Sequence, residues 1–404
     1  MGRRADSNVL EDQADPGTVD VPRPTLPRLF LAFLSLGATA FGGPAMVAHI
    51  RDLAVKKRRW LDDETFRNGV ALCQTIPGAT AMQTSAYVGL RVYGARGAAA
   101  SFIGFGLPAF LLMLALSVLY AQFHGLPAVV SAFGGLHALI VALIAHAAFT
   151  FGRAYLKKWQ DFLIVPVAAV LFWMGLSPIL VVIASFLLGI ALRFREDRAP
   201  HAAQAERALF PLKPVILIAS ITALCLVALF LVNRRLLELS LLMLRVDLFA
   251  FGGGFSSIPL MLHEVVETRH WMEPRAFMDG IALGQVTPGP IVITATFVGY
   301  AVQAIPGAFV ATASIFLPSF FLVISVAPFF LRLNSFPLFR MGIAGILCSF
   351  VGLLASTSAK LGLAVTWDLP RIAIAAAAFA ALMLKVNLLW VVLGATLLAL
   401  ILRL

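Results

Sequence analysis

Four interruptions in otherwise apolar sequence bring together the residue types that could do chemistry. "LCQTIPGATAMQTSAY" sets Gln74 three residues before Pro77 and Gly78, and "LGQVTPGPIVITAT" sets Gln285 three residues before Pro288, Gly289 and Pro290. Upstream of each lies a glycine cluster, Gly42, Gly43 and Pro44 in one place and Gly252, Gly253 and Gly254 in the other. Proline removes a backbone donor and glycine permits turns that a side chain blocks, so helices should break here. A half-helix that restarts after a break aims unpaired N–H groups and a positive dipole end inward, which is anion-binding chemistry made from backbone. The two glutamine amides add donors for an oxyanion. Thr287, with Thr75, Thr80, Gln83, Thr84, Ser85, Thr294 and Thr296, supplies further polar groups, and bonding back to helix carbonyls is their plainer use. Arg245 and Asp247 precede the triple glycine inside an apolar run, where ions are expensive. Arg245 is expected to attract the anion, and Asp247 to balance charge or carry a proton. The competing explanation for the glycines and prolines is close packing and kinking alone.

Those residues need a membrane to hold them. Of 404 residues, 60% are hydrophobic and 13% charged, with a mean hydropathy of +0.93. Apolar runs of about 20 residues recur from Leu29 onward, the length of a helical crossing. The fold class expected is an all-α polytopic membrane protein. Residues 1–28 are polar and read as a cytoplasmic tail. Thirteen apolar segments follow, and the polar stretch 194–213 divides them into two halves. The expected division is a tail over 1–28, a first repeat over 29–193, a linker plus one extra membrane segment over 194–236, and a second repeat over 237–404.

The halves repeat. Phe41, Trp60, Phe66, Gly69, Gln74, Pro77, Gly78, Gly89, Gly97 and Pro108 match Phe251, Trp271, Phe277, Gly280, Gln285, Pro288, Gly289, Gly299, Gly307 and Pro318 at shifts of 210 or 211. The loop after the first glycine break carries Arg51, Lys56, Lys57, Arg58, Arg59 and Arg67, whereas its partner holds Arg269 and Arg275 against Glu264, Glu267 and Glu273. By the positive-inside rule the first loop is cytoplasmic and the second is not, so the repeats should be inverted. The segment at 214–232 has no partner and provides the odd crossing. Keeping the tail, the 51–67 loop and the Arg91/Arg96 loop on one side requires segments 29–50 and 68–90 to be re-entrant; the alternative is thirteen full crossings with a positive loop outside.

Other chemistries find less support. The net charge of +11 is dispersed among loops, which suits orientation and anion attraction and gives no nucleic-acid patch. Cys73, Cys225 and Cys348 lack metal-ligand spacing and read as small core residues. His137 and His146 read as packing histidines, with proton carriage the alternative. No nucleotide or cofactor motif is present, so no cofactor is expected. An anion channel and a membrane-embedded reductase remain the rival classes.

The motifs "FGGPAMVAHI" and "WLDDETFRNGVALCQTIPGATAMQTSAYVGLRVYG", with "FGGGFSSIPLMLHEVV" and "WMEPRAFMDGIALGQVTPGPIVITATFVGY", resemble the chromate ion transporter family in its long, two-domain form. The resemblance covers both halves and implies a transporter, not an enzyme. It implies export of chromate or a sulfate-like oxyanion through a plasma (inner) membrane, conferring chromate resistance. A homodimer is a further expectation. Ala79 stands where the second half has Pro290 and where the family often has proline, so the first break should be less rigid.

Overall fold

A computed structural model describes residues 24–41, 44–193 and 211–404. The expected tail up to residue 23, Gly42, Gly43 and most of the polar linker lie outside the described residues. The described chain is helical: α1 (Leu26–Thr39), α2 (Pro44–Arg51), α3 (Asp63–Thr75), α4 (Thr80–Phe123), α5 (Pro127–Tyr155), α6 (Trp159–Trp173), α7 (Pro178–Arg193), α8 (Leu212–Val232), α9 (Arg234–Phe249), α10 (Ser257–Met261), α11 (Pro274–Val286), α12 (Thr294–Val326), α13 (Phe330–Asn334), α14 (Pro337–Leu363), α15 (Leu369–Met383) and α16 (Leu388–Leu402). Each half contributes two broken elements, a long helix, a second long helix and a short helical pair.

The broken elements turn back on themselves. Gly69 faces the Tyr87 ring and Cys73 bonds Thr84, so α3 and the start of α4 run antiparallel about Pro77-Gly78. In the second half Gly280 faces Phe297 and Gly284 faces Thr294, the same arrangement about Pro288-Gly289-Pro290. The glycine breaks behave alike. The Phe33 and Trp60 rings stack with centroids 6.3 Å apart. A straight helix would separate the same two residues by about 40 Å. Arg245 and Glu264, on either side of Gly252–254, are 3.8 Å apart. Segments 29–50 and 68–90 are therefore re-entrant, as the charge pattern requires.

α4 and α12 each contain a second reversal. Tyr93 (φ −142°) and Gly94 (φ 64°) make a two-residue turn in α4, and Gln303 and Ala304 (φ 48°) make it in α12. Backbone meets backbone at Gly89 and Gly97, and again at Gly299 and Gly307. A side chain at any of these four would hold the arms apart. Ser101 Oγ donates to the Ser85 carbonyl at 2.7 Å across one hairpin, and the Thr296 and Thr312 hydroxyls pair at 2.7 Å across the other.

The halves exchange their short helical pairs. α6 and α7 have 15 and 16 residues. At that size each is only about 23 Å long. The hydrocarbon core of a bilayer is about 30 Å thick, so such helices need a neighbour rather than lipid on one side. Asp161 and Arg193 close this pair with a buried ion pair. It packs on the other half's α14, where Gly345 meets Ser185 and Gly189. Reciprocally, Gly135 of α5 meets Ala395 and Ala399 of α16, each residue 210 positions from its counterpart.

The two re-entrant elements return to their own side and the remaining helices of the first half come in antiparallel pairs. That half makes an even number of crossings, so α8 sets the second half upside down. α8 buries none of its residues and leaves Cys225 exposed, contrary to its expected place in the core; Cys73 and Cys348 are buried as expected.

Candidate functional site

The helix ends and Pro-Gly turns beside the breaks meet across the pseudo-two-fold relation of the halves. Gly78 N–H donates to the Ala250 carbonyl at 2.8 Å, and Gly289 N–H donates to the Ala40 carbonyl at 3.0 Å. Ala40 and Ala250 are equivalent, as are Gly78 and Gly289, so the two bonds are one contact made twice. Each joins the unpaired carbonyl at a helix C-terminus to a Pro-Gly turn, which satisfies backbone groups that lipid could not. Both glycines need φ beyond +100°, at 119° and 109°. Gly253 lies by Thr80 and Gly254 by Ile291 and Val292, which brings the triple-glycine break against both Pro-Gly turns.

Among the described residues, polar side chains gather around one of these two backbone bonds, the one at Gly78. Asp247, in the last turn of α9, is fully buried, and its Oδ2 accepts from Ser319 N–H at 2.7 Å. Ser319 Oγ accepts from Ala79 N–H at 3.1 Å and from Gln83 Nε2 at 3.4 Å, while Gln83 also donates to the Pro77 carbonyl. Gly78 is enclosed by Ser319, Gln83 and Asp247; any Cβ there would strike the serine hydroxyl. At the equivalent contact Gly37 and Ala109 replace Asp247 and Ser319, Ile293 and Thr294 stand where Gln83 does, and among the described residues Gly289 meets only the Ala109 methyl. The scaffold is two-fold but the chemistry is not.

Among the described residues, three buried polar atoms near the breaks make no hydrogen bond: Asp247 Oδ1, Gln83 Oε1 and Gln285 Nε2. Burial without a partner costs about 1–3 kcal/mol per group, so each is a position where a bound water, proton or ligand would be stabilised. A carboxylate at a helix C-terminus is also opposed by the helix dipole. The amide of Gln285 is a donor fit for an oxyanion. Two acceptors in one pocket instead suit a proton on Asp247.

The remaining expected residues are placed as follows. Pro77, Gly78, Thr287, Pro288, Gly289 and Pro290 are all buried in the turns, with Thr287 Oγ1 bonded back to Gly284. Pro44 starts α2. Gly252 and Gly253 take positive φ and Gly254 opens the short turn into α10. Gln74 departs from its expectation: α3 is amphipathic and leaves it exposed, while its counterpart Gln285 is 8% exposed. Arg245 also departs. Two positions from Asp247 is about 200° around a helix, which turns Arg245 outward, 51% exposed and beside Glu264. Sequence reasoning misses Ser319, because a lone serine in an apolar helix carries no signal until Asp247 and Ala79 are brought to it.

An inverted-repeat membrane protein whose paired broken helices meet at its centre has the architecture of a secondary transporter. The chain belongs to the chromate transporter family, whose model matches residues 27–190 and 237–400. It is 40% identical over 373 residues to an uncharacterized transporter of Methanocaldococcus jannaschii, covering 92% of both chains. It is 29% identical over 394 residues to a chromate transport protein of Cupriavidus metallidurans (94% of both chains), and 31% identical over 374 residues to one of Pseudomonas aeruginosa (91% of this chain, 88% of the relative). No solved structure matches the chain.

Proposed function

We propose that the protein carries chromate or a similar tetrahedral oxyanion out of the cytoplasm by alternating access, confers chromate resistance, and lies in the plasma (inner) membrane with its N-terminal tail cytoplasmic. The observation that carries this reading is the reciprocal pair of turn-to-terminus bonds, flanked by unpartnered buried polar atoms. The anion would lie between the breaks, held by Gln285 and by the backbone N–H groups that open the half-helices after Pro77-Gly78 and Pro288-Gly289-Pro290. Because the turns close on each other in this conformation, a carrier fits better than an open channel.

Direction follows from charge. A dianion leaving a negative-inside cell gains about 4.6 kcal/mol per 100 mV. At about 1.4 kcal/mol per decade that sustains a gradient on the order of a thousandfold. Asp247 at the centre is the group that would couple a proton to the cycle.

The test is uptake of radiolabelled chromate into inside-out vesicles, with sulfate as competitor. Saturable uptake that falls at least about tenfold in Gln285→Ala, from loss of one donor to a charged ligand, is the expected result, and sulfate competition defines the selectivity. Uptake no greater than in empty vesicles, with the protein folded and inserted, removes the oxyanion assignment.

A further inference from the structure

The two Pro-Gly hairpins differ in how they are covered. α3 presents an exposed face of Glu64, Arg67, Asn68, Ala71 and Gln74 leading to the first turn. On α11 the matching Met278, Asp279, Ala282 and Gln285 are buried, with α5 and α16 packed over them. The hairpin of the first half is thus uncovered on this face and its counterpart is covered.

A charged cluster fastens the covered side. Asp279 of α11 takes the Tyr120 hydroxyl of α4 on Oδ2 and the His137 Nε2 of α5 on Oδ1, both at 2.6 Å. His137 and Asp279 are 13% and 10% exposed, and Phe133 and Phe297 pack edge-on against the Tyr120 ring. The equivalent positions on the uncovered side are Asn68, Phe330 and Leu347, which cannot form such a pair. The cluster is therefore confined to the covered side.

We infer that His137, Asp279 and Tyr120 form a proton-binding latch: a proton taken from the aqueous face of the second half charges His137 and holds the α11 hairpin against α4 and α5, and its return to that face releases the hairpin. Its role as a gate in transport rests on the carrier reading above. Imidazole is the side chain whose charge ordinarily changes between pH 5 and 8. Without that charge a hydrogen bond to the carboxylate remains, but the attraction between opposite charges in a low-dielectric setting is gone. The other titratable groups on the surrounding elements are engaged elsewhere. His124 is the exception, since it bonds the Tyr120 carbonyl and stacks on its ring without reaching Asp279; Arg275 bonds the Ala364 carbonyl, Lys360 bonds Glu267, which also pairs with His263, and Arg269 pairs with Glu264. Arg371 pairs with Asp368 beside Gly134, while Tyr300 of α12 and Arg403 after α16 make no hydrogen bond or ion pair with the cluster among the described residues.

Hydrogen exchange of residues 274–290 in the full-length protein, without any anion, tests the latch directly. After correction for the intrinsic base-catalysed rise of amide exchange with pH, wild type should be protected about tenfold more strongly at pH 5.5 than at pH 8, equivalent to about 1.4 kcal/mol of latch strength. His137→Gln and Asp279→Asn should show the same weak protection at both pH values, and Tyr120→Phe should keep the pH dependence of protection because the charge pair remains. His146→Gln, a histidine on the same helix outside the cluster, should behave as wild type. A wild type without pH dependence, or a His137→Gln protein that retains it, overturns the latch. Because no anion enters this measurement, failure of chromate uptake would count against the proposed function alone.

Discussion

Among single residues, Gly78 is the position on which the polar centre depends. Its φ of 119° already excludes most side chains, and a Cβ would collide with Ser319 and crowd Gln83 and Asp247. Gly94 also has positive φ, yet nothing lies within 4 Å of its missing Cβ. Gly94→Ala should therefore cost only about 1–3 kcal/mol of backbone strain and leave anion uptake near wild type. Gly78→Ala should abolish uptake at comparable membrane expression. Equal uptake by the two variants would show that the turn does not shape the site. Glutamine at 74 and 285 illustrates how identical residue types diverge: the sequence pairs them, but only Gln285 is buried with a free donor.

Among the helices, α3 shows how a re-entrant element begins at the water boundary. Asp62 caps it, accepting the Thr65 N–H and hydroxyl at 2.7 Å each, and these bonds hold its carboxyl below the usual carboxylate range. Such a cap contributes about 1 kcal/mol. A depressed folded value means the contribution is fully present above about pH 4 and is lost as pH falls through that folded value. Asp62→Ala should thus speed hydrogen exchange in the first turn of α3 about fivefold at neutral pH. The difference from wild type should vanish in strong acid. A constant difference at all pH values would assign the effect to something other than the carboxylate. The hairpin in α4 makes a related point. Gly89, Gly97 and Gly94 read individually as kinks; the Ser101 bond to Ser85 shows them to be one reversal.

Across the entire chain, exchange of short helical pairs makes each half incomplete. α6 and α7 lie on α14, and α15 and α16 lie on α5. If the chain is divided within 194–210 and the pieces are co-expressed, they should co-purify and restore uptake, while neither alone should do so. Recovery of function by one piece would mean that the exchange is dispensable.

The membrane class, the two repeats, their inversion and the four breaks are all legible in the amino-acid order, because apolar run length, positive-charge bias and paired Pro-Gly signals are local properties. Asp247 is legible there too, since a carboxylate in an apolar run is conspicuous. Which polar groups meet is a matter of packing and appears only once the helices are assembled. Arg245 and Asp247 are neighbours in the chain yet face opposite ways, by helical geometry. Ser319, Gln83 and Asp247 are far apart in the chain yet share one pocket, and His137 reaches Asp279 and Tyr120 across three helices. Repeat patterns impose symmetry on the backbone, but the packing of unlike side chains on equivalent turns sets the chemistry of each side.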